Sequence, residues 1–172
     1  MILALLFLCA APAAWAQTPE LDVTRAEQGH VDAQFQLAAR YANGDGMPRD
    51  DGLALSWYRK AAEQGHARAQ LQVGVIHENG IGMEADGVQA VRWYRKAAEQ
   101  RVFRAQSNLG FMYATGRGVP VDKQQAYFWW FIASAGGDET SLKNAEGAAR
   151  GLSTMQRSVA EADARIWMQK YK

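Results

Sequence analysis

The sequence predicts an all-α fold, an α/α solenoid (superhelix) of about three helical hairpins with capping helices at its N- and C-terminal ends. Three observations support this prediction. The stretch that begins at Ala33 is repeated from Ala69 and again from Ala105, and 69 − 33 = 105 − 69 = 36 residues, so the period holds without an insertion. Each unit carries apolar residues at helical spacing in two segments, and glycines separate these segments. A fixed period of this size indicates hairpins that bury their apolar faces by stacking on their neighbours.

Residues 1–16 have the features of a signal peptide. They carry no charged side chain and end in a small–any–small pattern at Ala14 to Ala16. The segment is shorter than the roughly 20 apolar residues that span a bilayer. We therefore expect cleavage before Gln17, export to the periplasm or the medium, and no membrane insertion afterwards. No Lys or Arg precedes the apolar run, so either the amino terminus supplies that charge or the true start lies upstream.

The composition of the chain argues against a nucleic-acid partner. The 172 residues include 19 Lys and Arg and 18 Asp and Glu, which gives a net charge of +1, and both signs are interspersed. Proteins that bind nucleic acid or acidic membranes usually show a basic face or a polybasic cluster. The single cysteine, Cys9, lies in the predicted signal peptide, so the processed chain forms no disulfide.

The first helix of each unit is expected to pack closely against a neighbouring helix and to end at a glycine. Apolar residues at helical spacing lead each unit, with one histidine among them: Ala33, Leu37, Tyr41; Ala69, Val73, His77; Ala105, Leu109, Tyr113. A small residue follows each central position and leaves room for a neighbour: Ala38, Gly74, Gly110. Glycines that accept a left-handed backbone follow each helix: Gly44, Gly80, Gly116.

The second helix of each unit is expected to begin after an aspartate and to alternate large rings with alanines. Asp50, Asp86 and Asp122 stand where a carboxylate can accept from unpaired backbone N–H groups. Gln89 and Gln125, three residues after two of these aspartates, have the spacing of a capping box. The rings and alanines that follow are Ala54, Trp57, Tyr58, Ala61; Ala90, Trp93, Tyr94, Ala97; Ala126, Trp129, Trp130, Ala133.

These units resemble Sel-one-like repeats, which are related to the tetratricopeptide repeat. The shared pattern is A-x-x-x-[LV]-[AG]-x-x-[YH], then G-x-G, then D-x-x-x-A-x-x-W-[YW]-x-x-A. The resemblance divides the chain into segments: a signal peptide at 1–16, an N-terminal capping segment at 17–32, three repeats at 33–68, 69–104 and 105–138 (together 33–138), and C-terminal capping helices at 139–172.

One residue departs from the repeat pattern, and one further helix is expected after the last repeat. Arg101 stands where Gly65 and Gly137 follow the second helices of the other units, so either the backbone is strained there or the connection differs. A final helix is expected to begin after Ser153, which has its capping partner three residues on. Its apolar face is expected to cover the end of the last hairpin and comprises Met155, Val159, Ala162 and Ile166, with Trp167 beside it.

No residue constellation predicts catalysis, a cofactor or a metal site. His30 and His66 lie one period apart at loop positions, and His77 is expected to be a hydrogen-bonded core residue. No Ser has Lys three residues on, and Gly-x-Ser-x-Gly is absent. The rival enzyme class implied by the resemblance is a penicillin-binding or β-lactamase-like enzyme of cysteine-paired relatives, and the cysteines of those relatives are absent. We therefore predict a protein that is not an enzyme.

The resemblance implies a protein–protein interaction module, a monomer that binds another protein on the concave face of its first helices. An alternative is an immunity protein that neutralises a secreted toxic effector such as a lipase. The concave-face residues not needed within the hairpins would form an apolar strip flanked by charges, or else serve as ordinary packing contacts. They are Phe35, Ala39, Arg68, Leu71, Val75, Glu78, Arg104, Ser107 and Phe111.

Overall fold

The computed structural model describes residues 19–171, and within this range every regular element is an α-helix. The predicted signal peptide at 1–16 lies outside the described residues. In chain order the helices are α1 (Pro19–Glu27), α2 (Val31–Asn43), α3 (Asp51–Glu63), α4 (Ala67–Asn79), α5 (Gly87–Glu99), α6 (Phe103–Thr115), α7 (Lys123–Ala135), α8 (Glu139–Ala149) and α9 (Thr154–Lys170).

From α1 to α8, each helix packs against the next one in the chain, and α9 packs against α7. The closest pairs are α2 with α3, α4 with α5 and α6 with α7, and each of these hairpins also packs on the helix that follows it. A buried core of alanines, aliphatic side chains and rings runs through the stack, including Leu37, Val73, Tyr94 and Leu109. The prediction of an all-α solenoid is confirmed, because single hairpins bury their apolar faces only through their neighbours.

The loops between the paired helices repeat the same capping chemistry. Gly44, Gly80 and Gly116 adopt left-handed φ angles of 77°, 65° and 73° after α2, α4 and α6. The carboxylates of the predicted N-cap aspartates accept backbone N–H groups at the start of α3, α5 and α7; these residues are Asp50, Asp86 and Asp122.

The capping boxes predicted for Gln89 and Gln125 are wrong. The backbone N–H of Asp86 donates to the carbonyl of His77, and that of Asp122 donates to the carbonyl of Tyr113. These N–H groups therefore already have acceptors in the preceding helix, and a glutamine side chain has none to bind. The box predicted at the start of α9 is confirmed: the N–H of Ser153 donates to the side-chain oxygen of Gln156, and the N–H of Gln156 donates to the hydroxyl of Ser153.

Arg101 adopts a left-handed backbone, with φ of 63°, and is the one non-glycine residue with positive φ between residues 19 and 171. The backbone hydrogen bonds around it match those of the first repeat, since Arg101 N–H donates to Ala98 as Gly65 N–H donates to Ala62. The connection between the second and third repeats is therefore the same as elsewhere. Of the two explanations offered by the sequence, backbone strain at Arg101 is the correct one.

Buried glutamines tie each first helix to the helix before it. The side-chain amides of Gln34, Gln70 and Gln106 each donate to a backbone carbonyl eight residues earlier, at the end of α1, α3 or α5. The distances are 3.1, 3.0 and 3.2 Å. All three side chains are buried. Buried amides are tolerated because they are hydrogen-bonded, so these bonds fix the register between successive hairpins.

The last helix packs on the last hairpin as expected, but the four residues predicted for its apolar face do not make the contact. Helix α9 packs against α7 through Ala160, Ala164 and Trp167, and it makes few contacts with α8. The predicted face points away from the core: Met155, Val159, Ala162 and Ile166 are exposed. Alanines and one ring allow a closer approach to α7 than these larger side chains would, so the smaller face is the one that is buried.

Candidate partner-binding face

The first-helix face, defined as the open side of α2, α4, α6 and α8, contains three hollows. The first hollow has a volume of about 330 Å³ and lies between α2, α3 and α4. Phe35 and Ala39 of α2 line it together with Val75 of α4. The structure therefore brings three of the predicted partner-binding residues into one concave site.

Phe35 is half-buried and carries its own small cluster. Its ring stacks on His66 with centroids 4.5 Å apart and contacts Tyr58 at 5.6 Å, while the Arg68 guanidinium lies 5.7 Å above it. His66 Nδ1 also accepts the N–H of Ala69 at the start of α4. Burial is the main cause that lowers the pKa of His66. The cluster fixes one wall of the first hollow.

The middle hollow continues the first hollow along the face. Its volume is about 310 Å³, and it shares Gln72 and Val75 with the first hollow. Arg104 of α6 lines its far side, where it is exposed. Leu71 also lines this hollow. It adds little to an exposed strip, because it is only 7% exposed and belongs to the buried core cluster that includes Tyr94.

Glu78 lies on this face in a network of paired groups. Its carboxylate accepts the hydroxyl of Tyr94 at 2.5 Å and an N–H of Arg117 at 3.2 Å. Burial, and then the bond to Glu78, raises the pKa of Tyr94. Glu78 is therefore a structural link between α4, α5 and the loop after α6, and its charge is balanced by Arg117.

Ser107 and Phe111, the remaining predicted site residues, lie apart from the first and middle hollows. The carbonyl of Ser107 accepts the indole N–H of Trp130, and its hydroxyl accepts that of Ser141. Ser107 is therefore a packing contact between α6, α7 and α8. Phe111 is 43% exposed, with the Arg117 guanidinium 5.9 Å from its ring, and remains available to a partner.

The end hollow is the third and largest hollow of this face, at about 490 Å³, between α6, α7 and α8. It occupies the position of the first hollow two repeats further on: Tyr58 corresponds to Trp130, and Gln72 to Asn144. Its residues are Ala114, Lys123, Ala126, Trp130, Lys143, Asn144, Gly147, Ala148, Arg150 and Gly151. It thus extends the face beyond the third repeat into α8.

A larger hollow, about 620 Å³, lies away from the first-helix face between α6, α7 and α9. Arg101 and Phe103 line one side of it, and Trp167 and Met168 line the other. In the same part of the chain, residues 19–171, no three His, Cys, Asp or Glu side chains are placed to share a metal ion. No helix of that range is long and apolar enough to cross a bilayer.

Three amides of the face and the three cations of the end hollow were not identified from the sequence. Gln72, Asn108 and Asn144 line the hollows at the same register of α4, α6 and α8. The 36-residue period could have identified them, because each lies one period after the previous one. The period alone does not identify Lys143 and Arg150, because the residues one period earlier, Ser107 and Ala114, are uncharged.

Comparison with known proteins places three Sel1 repeats in the chain, at residues 31–66, 67–102 and 103–138. The structure is similar to a crystal structure of a Sel1 repeat protein from Oxalobacter formigenes, with 38% identity and a TM-score of 0.68 over 74% of this chain and 96% of that one. It is also similar to a protective antigen with an SLR fold, present in uropathogenic Escherichia coli strains, with 31% identity and a TM-score of 0.59. That match covers 88% of this chain and 40% of the antigen. No curated protein matches.

Proposed function

Because the chain belongs to the Sel1 repeat family, we propose that it is an exported interaction module that binds a protein partner on its first-helix face. Repeats of this family generally serve as protein–protein interaction modules. We choose this face as the binding surface because three hollows lie in a row along α2, α4, α6 and α8. Concave sites with apolar walls and a few polar groups are where ligands bind.

Two exposed residues of this face provide the test. Phe111 and Arg104 combine an exposed ring with an exposed cation, and rings and arginines contribute most to protein interfaces. The variant Phe111→Asp with Arg104→Glu should lose the partner in affinity capture from a periplasmic extract and keep its helical circular dichroism. The matched control is Leu53→Asp with Arg92→Glu, which changes the same charges on exposed positions of α3 and α5.

The control must capture the partner as the unaltered protein does. Loss of capture by both variants, or by neither, would contradict the proposed face. Turnover of β-lactam or lipid substrates by the purified protein would contradict the interaction-module function. Among captured partners, a secreted toxic effector such as a lipase would specify the immunity role, and other partners would specify a scaffold.

Export is proposed from residues 1–16 and their small–any–small end before Gln17. The test is N-terminal sequencing of the protein recovered from the periplasmic fraction. A chain that begins at Gln17 supports export, and a full-length chain in the cytoplasm contradicts it.

A further inference from the structure

The end hollow differs from the other two hollows in its charge. Lys123, Lys143 and Arg150 line it, and no acidic residue does. Within residues 19–171 these three cations form no ion pair or hydrogen bond. The acids nearest to them in sequence, Asp122 and Glu146, are not within ion-pair distance. The end hollow is therefore a concentration of positive charge without a partner in this part of the chain.

At the positions that correspond to Lys123 and Arg150, two repeats earlier, the chain carries acidic residues, and each of them is paired with an arginine. Two repeats before Lys123 stands Asp51, whose carboxylate is paired with Arg49 at 3.0 Å. Two repeats before Arg150 stands Glu78, whose carboxylate is paired with Arg117 at 3.2 Å. At these two positions the earlier repeats therefore carry paired carboxylates, whereas the end hollow carries cations without an ion-pair partner among residues 19–171.

The end of α8 does not balance this charge. Lys123 reaches it, because a Cβ added at Gly151 would lie 3.5 Å from the Lys123 amino group, and Arg150 caps the helix. A helix C-terminus carries about half a negative charge. Half a charge is small against the three full positive charges of the lining residues.

The end hollow also has room for a ligand. Gly147 occupies the register that Val75 and Phe111 fill in the earlier repeats, and a Cβ added there would meet nothing closer than the Arg150 guanidinium at 3.8 Å. The volume of about 490 Å³ lies within the range of ligand-binding pockets. Asn144 in the wall offers a donor and an acceptor, and so does Gln72, two repeats earlier along the face.

We propose that the end hollow binds the carboxylates of an acidic peptide segment that lies extended along the first-helix face. The Arg150 guanidinium can bind a carboxylate through two parallel N–H groups, and the two lysines supply further charge. Side-chain amides at a constant register can pair with the N–H and C=O groups of any extended backbone, whatever its sequence. The preference for acidic residues therefore comes from the cations of the end hollow. This inference rests on the proposed function, since the segment belongs to the protein partner.

A peptide pair tests the inference without the native partner. Fluorescence anisotropy measures binding of the full processed protein to a labelled hexaglutamate amide and to the matching hexaglutamine amide. We expect the glutamate peptide to bind at least about tenfold more tightly, which corresponds to about 1.4 kcal/mol. The variant Lys143→Gln with Arg150→Gln should lose this preference. The control Arg25→Gln with Arg92→Gln changes the net charge equally at exposed positions of α1 and α5 and should keep it.

A second variant, Gly147→Glu, leaves the three cations in place and puts a carboxylate among them. It too should lose the preference, because the side chain occupies the site. Equal affinity for both peptides, an equal loss in the Arg25 and Arg92 control, or binding to phosphatidylglycerol vesicles without binding to hexaglutamate would overturn the inference. Any of these outcomes leaves the capture test at Phe111 and Arg104 intact, so the two proposals fail separately.

Discussion

The ring of Tyr94 occupies the space in which residue 74 would carry a β-carbon. A Cβ added at Gly74 would lie 2.5 Å from the Cδ1 and Cε1 atoms of Tyr94, well inside van der Waals contact. The same relationship recurs in the next repeat, where a Cβ at Gly110 would lie 2.6 Å from the Trp130 ring. Glycine at these positions lets the paired helices approach closely, which confirms the expectation drawn from the small residues.

Gly74→Ala should therefore destabilise the protein by about 1–3 kcal/mol, because overpacking forces ring and backbone shifts. The loss occurs although alanine is the better helix former. Gly147→Ala is the matched control, since a Cβ there meets only the Arg150 guanidinium at 3.8 Å, and it should stabilise α8 by about 0.5–1 kcal/mol. Urea unfolding measures both changes, and equal stabilities of the two variants would contradict this account of Gly74.

The period of the sequence was sufficient to predict the hairpins and the caps at Asp50, Asp86 and Asp122, because these depend on neighbours at fixed spacing. It was not sufficient for α9, where periodicity identifies an apolar face but not the helix that will cover it. The burial of Leu71 was missed for the same reason: the residues at its register, Phe35 and Ser107, are half-buried, and only the fold places Leu71 in the core cluster. In the end hollow, Lys143 lies in α8, Arg150 caps that helix and Lys123 belongs to α7, so only the fold brings Lys123 to the other two.

Arg101→Gly should raise stability by up to about 1 kcal/mol. The left-handed backbone costs an L-residue roughly 1–2 kcal/mol, and the greater freedom of glycine in the unfolded chain offsets part of the gain. The reciprocal variant is Gly65→Ala, at φ of 93°, which should destabilise by about 1 kcal/mol or more although nothing lies within 4 Å of the added Cβ. Thermal unfolding of both variants checks the pair; a less stable Arg101→Gly protein would show that the arginine side chain outweighs the strain.

Gln70→Leu should destabilise the protein by about 0.5–1.5 kcal/mol, because the carbonyl of Ala62 would lose its buried side-chain donor and keep only the backbone N–H of Gly65. The oxygen of Gln70 also accepts from Gln100 at 2.8 Å, so a second, part-buried hydrogen bond is lost. Gln72→Leu, two residues on and only half-buried, is the control and should shift the urea midpoint little. Similar losses in both would show that helix α4, rather than the buried hydrogen bond, determines the effect.

Stability should fall on acidification through about pH 6.5, the ordinary pKa of histidine in an unfolded chain. Burial is the main cause that lowers the pKa of both His66 and His77. Arg68 lowers the pKa of His66 further and Asp32 opposes this. Arg59 and Asp86 have the same two effects on the pKa of His77. The unfolded state then binds more protons than the folded state, so stability is full above about pH 6.5 and is lost as pH falls towards the lowered pKa.

The variant His66→Asn with His77→Tyr should remove most of this pH dependence. Asparagine keeps an acceptor at the start of α4, and tyrosine occupies the register of His77 in the first and third repeats. The measurement is the difference in urea midpoint between about pH 7.5 and pH 5.5, a window above the titration of ordinary carboxylates. An unchanged difference in the variant would assign the pH dependence to other groups.

Glu78→Gln should strengthen binding of the hexaglutamate peptide by about twofold to fivefold, consistent with the modest energies of exposed ion pairs. The carboxylate that balances Arg117 is lost, so positive charge extends from the end hollow to the middle of the face. Glutamine retains an oxygen that accepts the Tyr94 hydroxyl, so the helices should remain joined. Glu99→Gln makes the same change in net charge at an exposed position of α5 and should leave the affinity unchanged. If both variants gain equally, net charge attracts the peptide; if only Glu78→Gln gains, the peptide lies along the face where Arg117 is freed.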